Sequence, residues 1–365
     1  MRQHKGLITT NFYYTFDGKE GRGNPFLSDT PKKTEMSRIK KVCILVPKGA
    51  ATITCIDGSY FMFNKVNAFL ESMGKAQAFE VKLIGITTDP HVYDRLFTVI
   101  PDLSISDKYN PDLIIIPPVN GEWEKIIEIN KDFFPWLNAQ HKAGAEIASL
   151  CVGTFLLAST GLLNGKTCAT HWFAANDFRK MFPEINLVSE KIITDENGIY
   201  SSGGANSFWN LLLYIVEKYV GREVMLLCAK MYEIEIDRGS QASFSIFTGQ
   251  KDHLDEPVKK AQEFIENHFQ DKLTVEQLAD MFALGRRSLE RRFKKATNNT
   301  VVEYIQRVKI EAAKKSFETS RKNINEVMYD VGYTDTKAFR TTFKKISGLS
   351  PIEYRNRYNK EAAAA

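Results

Sequence analysis

The chain has 365 residues, of which 43% are hydrophobic and 25% charged, the composition of a globular protein long enough for more than one core. No apolar run approaches the roughly 18 residues of a membrane span, and five widely spaced cysteines suit neither a disulfide framework nor a zinc site. The net charge of +5 is unevenly held: from Val258 onward there are 22 Lys and Arg against 14 Asp and Glu, whereas the remainder has 27 against 30. A basic last third behind a slightly acidic front points to a nucleic-acid-binding module on a separate domain. These features predict a cytoplasmic protein, with no membrane partner and no cofactor or metal.

Residues 1–38 include "FDGKEGRGNPFLSDTPKKTE", which lacks the apolar centre and cleavage site of a secretory signal and reads as a flexible extension. From 39 to 236, β-like and helical segments alternate. "KVCILVP", "FEVKLIGIT", "DLIIIPP" and "AEIASLC" are short, apolar and rich in β-branched residues, as buried parallel strands are. Helical stretches at Tyr60 to Met73, Phe133 to Ala143, Thr154 to Thr160 and Asn206 to Val220 lie between or after them. The pattern predicts an α/β domain with a doubly wound, flavodoxin-like parallel sheet, whose ligand site lies beyond the carboxyl ends of the strands. Cys151 stands at such an end, in Cys-Val-Gly, where a strand turning sharply into a helix makes a nucleophile-elbow geometry with Gly153 allowing close approach. Val119, Asn120 and Gly121 after the third strand, and Gly203, Gly204 and Ala205 before the last helix, are further candidate walls.

Residues 237–257 are polar and read as a mobile linker. Residues 258–360 are predicted to form an all-α domain with two helix-turn-helix motifs. "VEQLADMFALGRRSLERRFKKA" from Val275 aligns with "NEVMYDVGYTDTKAFRTTFKKI" from Asn325 at a constant offset of 50 without a gap. Thr274 and Gln277 fit a capping box, Leu278, Met281 and Phe282 an apolar face, and Gly285 and Gly332 the tight turns. The second helix of each unit buries Leu289 and Phe293, or Phe339 and Phe343, at i and i+4. Its free face carries Arg286, Arg287, Ser288, Glu290, Arg291 and Lys294 in one copy, and Thr336, Lys337, Arg340, Thr341 and Lys344 in the other. Arginine reads guanine edges bidentately, while lysine and threonine suit phosphates. Between the copies, an 18-residue helix opened by Thr300 and Glu303 spans roughly 27 Å, close to the spacing of adjacent major-groove faces. Ser350-Pro351-Ile352-Glu353 caps a closing helix to about Tyr358.

The run "VGYTDTKAFRTTFKKISGLSPIEYR" and the preceding unit resemble the AraC/XylS family of bacterial transcriptional regulators across about 100 residues. "ASLCVGTFLLASTGLLNGKTCATHW" resembles the PfpI-type, class I glutamine-amidotransferase-like superfamily, and the whole chain after about Arg38 resembles the GlxA-type subgroup of AraC regulators. The resemblance implies a nucleophile position at Cys151 and a histidine at His171. The peptidase-type histidine after the cysteine is replaced by Val152, and the glutamate of the first loop by Thr54 or Cys55, with Asp57 nearby. Cysteine chemistry needs a base and a group that orients it. The expectation is a non-catalytic pocket of Asp57, Asn120, Gly121, Cys151, Val152, His171 and Gly204, in which Cys151 and His171 are catalytic remnants. The expected function is a sequence-specific DNA-binding regulator whose front domain senses a small molecule, dimerises, or both. The implied partners are double-stranded DNA with two half-sites per protomer, a small-molecule effector, RNA polymerase and a second copy of the chain. The alternative is a cysteine-dependent amidase or peptidase-like hydrolase fused to a DNA-binding module.

Overall fold

The computed structural model describes residues 38–236 and 239–359; the amino-terminal extension lies outside the described residues, as do Asp237, Arg238 and residues 360–365. Among the described residues, seven strands build the main sheet: β1 (Lys40–Val46), β2 (Phe79–Gly85), β3 (Leu103–Ser104), β4 (Leu113–Ile116), β5 (Glu146–Ser149), β6 (Ile193–Asp195) and β7 (Ile199–Ser202). Their spatial order is β6-β7-β5-β4-β1-β2-β3, parallel throughout except for the antiparallel β6–β7 edge. Residues Val42 to Val46 of β1 are at most 1% exposed, so both faces of the sheet are covered. One group of helices, α1 (Ile53–Ser72), α6 (Ser207–Val220) and α7 (Arg222–Met231), packs together; α2 (Trp123–Ile129), α3 (Phe133–Lys142) and α4 (Thr154–Ser159) form another, and α5 (Ala175–Met181) follows α4.

The chain leaves β1 toward β2 and β3, then returns to lay β4 on the other side of β1. The carboxyl ends of β1 and β4 therefore flank a topological switch point, where open α/β sheets take their ligands. A small antiparallel pair, Ala50–Ala51 with Val119–Asn120, ties the two exits together. Thr52 N–H donates to Pro118 O at 2.9 Å beside it. The first helix begins at Ile53, seven positions before the start expected from periodicity, so that "ITCIDGSYF" is helical. Its β-branched opening masked it, because isoleucine and threonine carry little intrinsic helix preference and burial decides their conformation here.

The carboxyl-terminal region contains α8 (Glu256–Asn267), α9 (Val275–Met281), α10 (Arg286–Thr297), α11 (Val301–Thr319), α12 (Ile324–Asp330), α13 (Thr336–Ser347) and α14 (Pro351–Tyr358). Two cores form it. Val258, Leu278, Leu289, Phe293 and Tyr304 belong to one, and Phe317, Val327, Phe339, Phe343 and Tyr354 to the other. The first half of α11 packs into the former and its second half into the latter, so one helix carries both units. Capping boxes close at Thr274/Gln277, Thr300/Glu303, Asn323/Glu326 and Ser350/Glu353.

The internal repeat has two registers. Helices α10 and α13 correspond at an offset of 50, but the caps Thr274 and Asn323, and the helices they open, correspond at 49. The second unit has one residue more in its turn, so Gln277 matches Glu326 as the third residue of each capping box. The left-handed turn residue of the first unit is Ala283, at φ 52°, opposite Gly332 at φ 73°. Gly285 is the extended N-cap of α10, not the tight turn expected of it, and Met281 is 53% exposed instead of buried.

The stretch between the lobes is also different from its polar appearance. From Ser240 it forms a short 3-10 turn, Ala242–Phe244, and Gln241 is fully buried. Its polar groups are engaged in hydrogen bonds with both lobes: Gln250 donates to Asn176 Oδ1 at 3.0 Å, and the Tyr358 hydroxyl to Ser243 O at 3.3 Å.

Candidate functional site

A cavity of about 370 Å³ opens at the switch point. Its floor is the end of β5, where Cys151 adopts φ 54°, a left-handed backbone that an L-residue takes at a cost of roughly 1–2 kcal/mol. The surrounding contacts hold it there. Cys151 N–H donates to Ser202 Oγ at 3.2 Å, and its carbonyl accepts from the hydroxyls of Thr154 and Thr170 at 3.0 and 3.1 Å. Gly153 permits the elbow, since a Cβ there would stand 2.6 Å from Ile116 O. Trp123 forms another wall, its ring stacked on Phe155 at 4.0 Å and its indole N–H donating to Asp177 at 3.0 Å.

Of the residues expected from sequence, Asn120, Gly121, Cys151, Val152 and His171 line this cavity. Asp57 does not: it sits exposed on α1, because the helix starts early and carries it beyond the opening. Gly204 does not line it either. A Cβ at Gly203 would stand 2.1 Å from Gln241 Nε2, and one at Gly204 would stand 3.3 Å from Gln241 Oε1, so these glycines make room for a side chain of the connecting segment. Val119 and Gly203 are also absent from the lining, whereas Ala205 contributes to it. Sequence reading missed Thr52, Pro118, Trp123 and Phe173 as walls, and Cys55 as more than a substituted position. Trp123 was within reach, since it follows the third-strand loop by two residues.

The cavity is chemically neutral. Its lining includes no Asp, Glu, Lys or Arg among the described residues. Burial pushes the Cys151 thiol up to about 12, so that neutral pH favours the protonated form. Cys55, in the same lining, is raised by burial and further by Cys151 beside it. His171 Nδ1 accepts the peptide N–H of Phe173 at 3.1 Å, and burial lowers the affinity of the ring for a second proton. With Nδ1 accepting that N–H, the neutral ring carries its proton on Nε2 and has no free lone pair with which to act as a base. Neither a charged partner nor an oriented base stands beside the thiol in this lining.

The second candidate surface lies on α10 and α13. Arg287, Arg291, Lys337 and Arg340 are exposed and make no hydrogen bond or ion pair among the described residues. Lys344, Thr336 and Thr341 are exposed beside them, and Ser288 and Glu290 are half-buried. Arg286 is differently placed, paired with Glu276 and, at 3.2 Å, with Glu290. Lys294 donates to Asn298 O at 2.9 Å at the end of α10. Arg292 faces the protein and holds Asp255 through two bonds of 2.8 Å.

A helix-turn-helix domain model matches residues 278–357, and a DJ-1/PfpI family model matches residues 40–218. The HTH-type transcriptional regulator GbdR of Pseudomonas aeruginosa is 25% identical over 238 residues, which cover 62% of this chain and 62% of that protein. The chain joins a DJ-1/PfpI domain to an AraC-type helix-turn-helix domain. The bifunctional transcriptional activator/DNA repair enzyme AdaA of Bacillus subtilis is 38% identical over 108 residues, 30% of this chain and 51% of AdaA. An AraC family transcriptional regulator from Pseudomonas putida of known structure covers 53% of this chain and 100% of its own, with 15% identity and a TM-score of 0.43. No helix among the described residues is long and apolar enough to cross a membrane.

Proposed function

We propose that the chain is a sequence-specific DNA-binding transcriptional regulator whose DJ-1/PfpI domain binds a small, uncharged molecule without transforming it. One observation carries the DNA-binding half: two recognition helices, α10 and α13, are mounted on the shared helix α11 and present exposed, unpaired arginines. The 19-residue α11 is about 28 Å long, suited to setting the two helices into successive major-groove segments, one half-site each. The sensing half rests on the neutral cavity, whose Trp123, Phe173, Asn120 and Thr52 offer apolar surface with a few hydrogen-bonding groups. Its protonated thiols and misdirected imidazole argue against a hydrolase. A cytoplasmic location, a second copy of the chain and RNA polymerase as partners complete the proposal.

The test is selection of genomic DNA fragments by the purified protein, repeated with Arg291→Ala and Arg340→Ala. The proposal expects a motif with two half-sites about one helical turn apart, each weakened by one of the variants. Recovery of unselected DNA by all three proteins would overturn it.

A further inference from the structure

The route from the cavity to the DNA-binding lobe passes through one buried amide. Gln241 Nε2 donates to Thr170 O at 2.9 Å and Ser189 O at 2.7 Å, with Lys191 O at 3.2 Å, while its Oε1 accepts the peptide N–H of Trp172 at 3.3 Å. Two of these partners, Thr170 and Trp172, flank His171, which lines the cavity. Thr170 also donates its hydroxyl to the carbonyl of Cys151, so the loop is bonded to the cavity floor on one side and to Gln241 on the other. The same amide lies against Gly203 and Gly204, immediately before Ala205 of the lining.

On its other side Gln241 is continuous with the mount of the second recognition helix. Ala242 and Ser240 stand 3.6 Å from where a Cβ of Gly348 would lie, at the end of α13. Ser243 O accepts the Tyr358 hydroxyl of α14, Lys314 of α11 donates to Ser245 O, and the Arg357 guanidinium lies 5.1 Å over the Phe244 ring. Further along the connecting segment, Gln250 bonds Asn176 of the front lobe and accepts from Asn299 beside the first helix-turn-helix, and Asp252 pairs with Lys180.

We propose that Gln241 is a positioning residue that transmits occupancy of the cavity to the second recognition helix. This rests on the reading of the cavity as a sensor site. A molecule pressing on His171 shifts the Thr170 and Trp172 peptides, the amide that bridges them follows, and residues 240–245 carry the change to the end of α13. Such a buried amide has two discrete outcomes, bonded or unbonded, because a donor left without a partner in this dry setting is strongly disfavoured. That makes the joint a two-state element and not a compliant one.

The experiment uses the full chain, with Ala205→Trp to place an indole at the mouth of the cavity and Gln241→Met as a replacement of similar shape without the amide. Affinity is measured on the DNA fragment enriched by the wild type, for both single variants and the double variant. Ala205→Trp is expected to change affinity about fivefold or more with Gln241 present and to have little further effect once Gln241→Met is in place. An equal effect in both backgrounds would overturn the role of Gln241 and leave the sensor reading standing. No effect in either background would overturn the sensor reading itself. Should Gln241→Met fail to fold, hydrogen exchange on Ala205→Trp against the wild type decides: altered protection in residues 240–245 and α13, with α9 and α10 unchanged, supports the route, and uniform or absent change refutes it.

Discussion

Cys151 shows how a residue type and a backbone shape do not by themselves make a nucleophile. Its elbow was legible from Cys-Val-Gly, and the φ of 54° and the space made by Gly153 agree with that reading. The missing catalytic partners were legible in Val152 after it and in the first loop, which has no glutamate, whereas the burial that pushes the thiol up was not. Because burial pushes the thiol well above its ordinary range, iodoacetamide should label Cys151 slowly at neutral pH, with a rate rising about tenfold per pH unit into the alkaline range. A rate that levels off near neutral pH would contradict the assignment and revive the hydrolase. The glycines carry a similar lesson. Gly203 and Gly204 were expected to serve a ligand, yet they accommodate Gln241, a contact between residues far apart in sequence that no local pattern reveals.

At the scale of elements, four of the seven sheet strands (β1, β2, β4 and β5) and most helices were legible because unbroken apolar runs and capping boxes are local signals. The turns were not, since a gapless repeat alignment hides a one-residue difference in loop length. The left-handed turn positions give a paired test. Ala283 bears a side chain at φ 52°, so Ala283→Gly should raise stability by up to about 1 kcal/mol. Gly332→Ala should destabilise by more than that, as its Cβ would stand 1.9 Å from Gln270 O. Thermal melts in which both changes act in the same direction would contradict this account. The joint between α8 and α10 gives another. Asp255 caps α8 by accepting the Val258 N–H at 3.2 Å, and its bonds to Arg292 hold its carboxyl below the usual carboxylate range. A depressed value means that the ionised group stabilises the fold fully above about pH 4 and that this contribution is lost as the pH falls through the lower folded value. Asp255→Ala should therefore cost about 1 kcal/mol near neutrality from the cap alone, with the gap to the wild type closing in acid. A gap independent of pH would contradict the role of the carboxylate.

For the whole molecule, the division into a slightly acidic front and a basic tail was visible in charge alone, and the α/β and all-α classes followed from periodicity. The assembly of the cavity was not, because its walls come from five separated segments that meet only through the strand order. Likewise, the polarity of residues 240–250 looked like freedom and proved to be bonding, since sequence shows donors and acceptors but not their partners. The central claim, that two helices on one scaffold read base sequence, is tested most directly by measuring wild type, Arg291→Ala and Arg340→Ala against every single-base variant of the selected fragment. Each alanine variant should lose about 1–3 kcal/mol of discrimination at one or two positions within its own half-site and keep it elsewhere. Uniform weakening across all positions would mean that these arginines hold only phosphate, and would contradict the account.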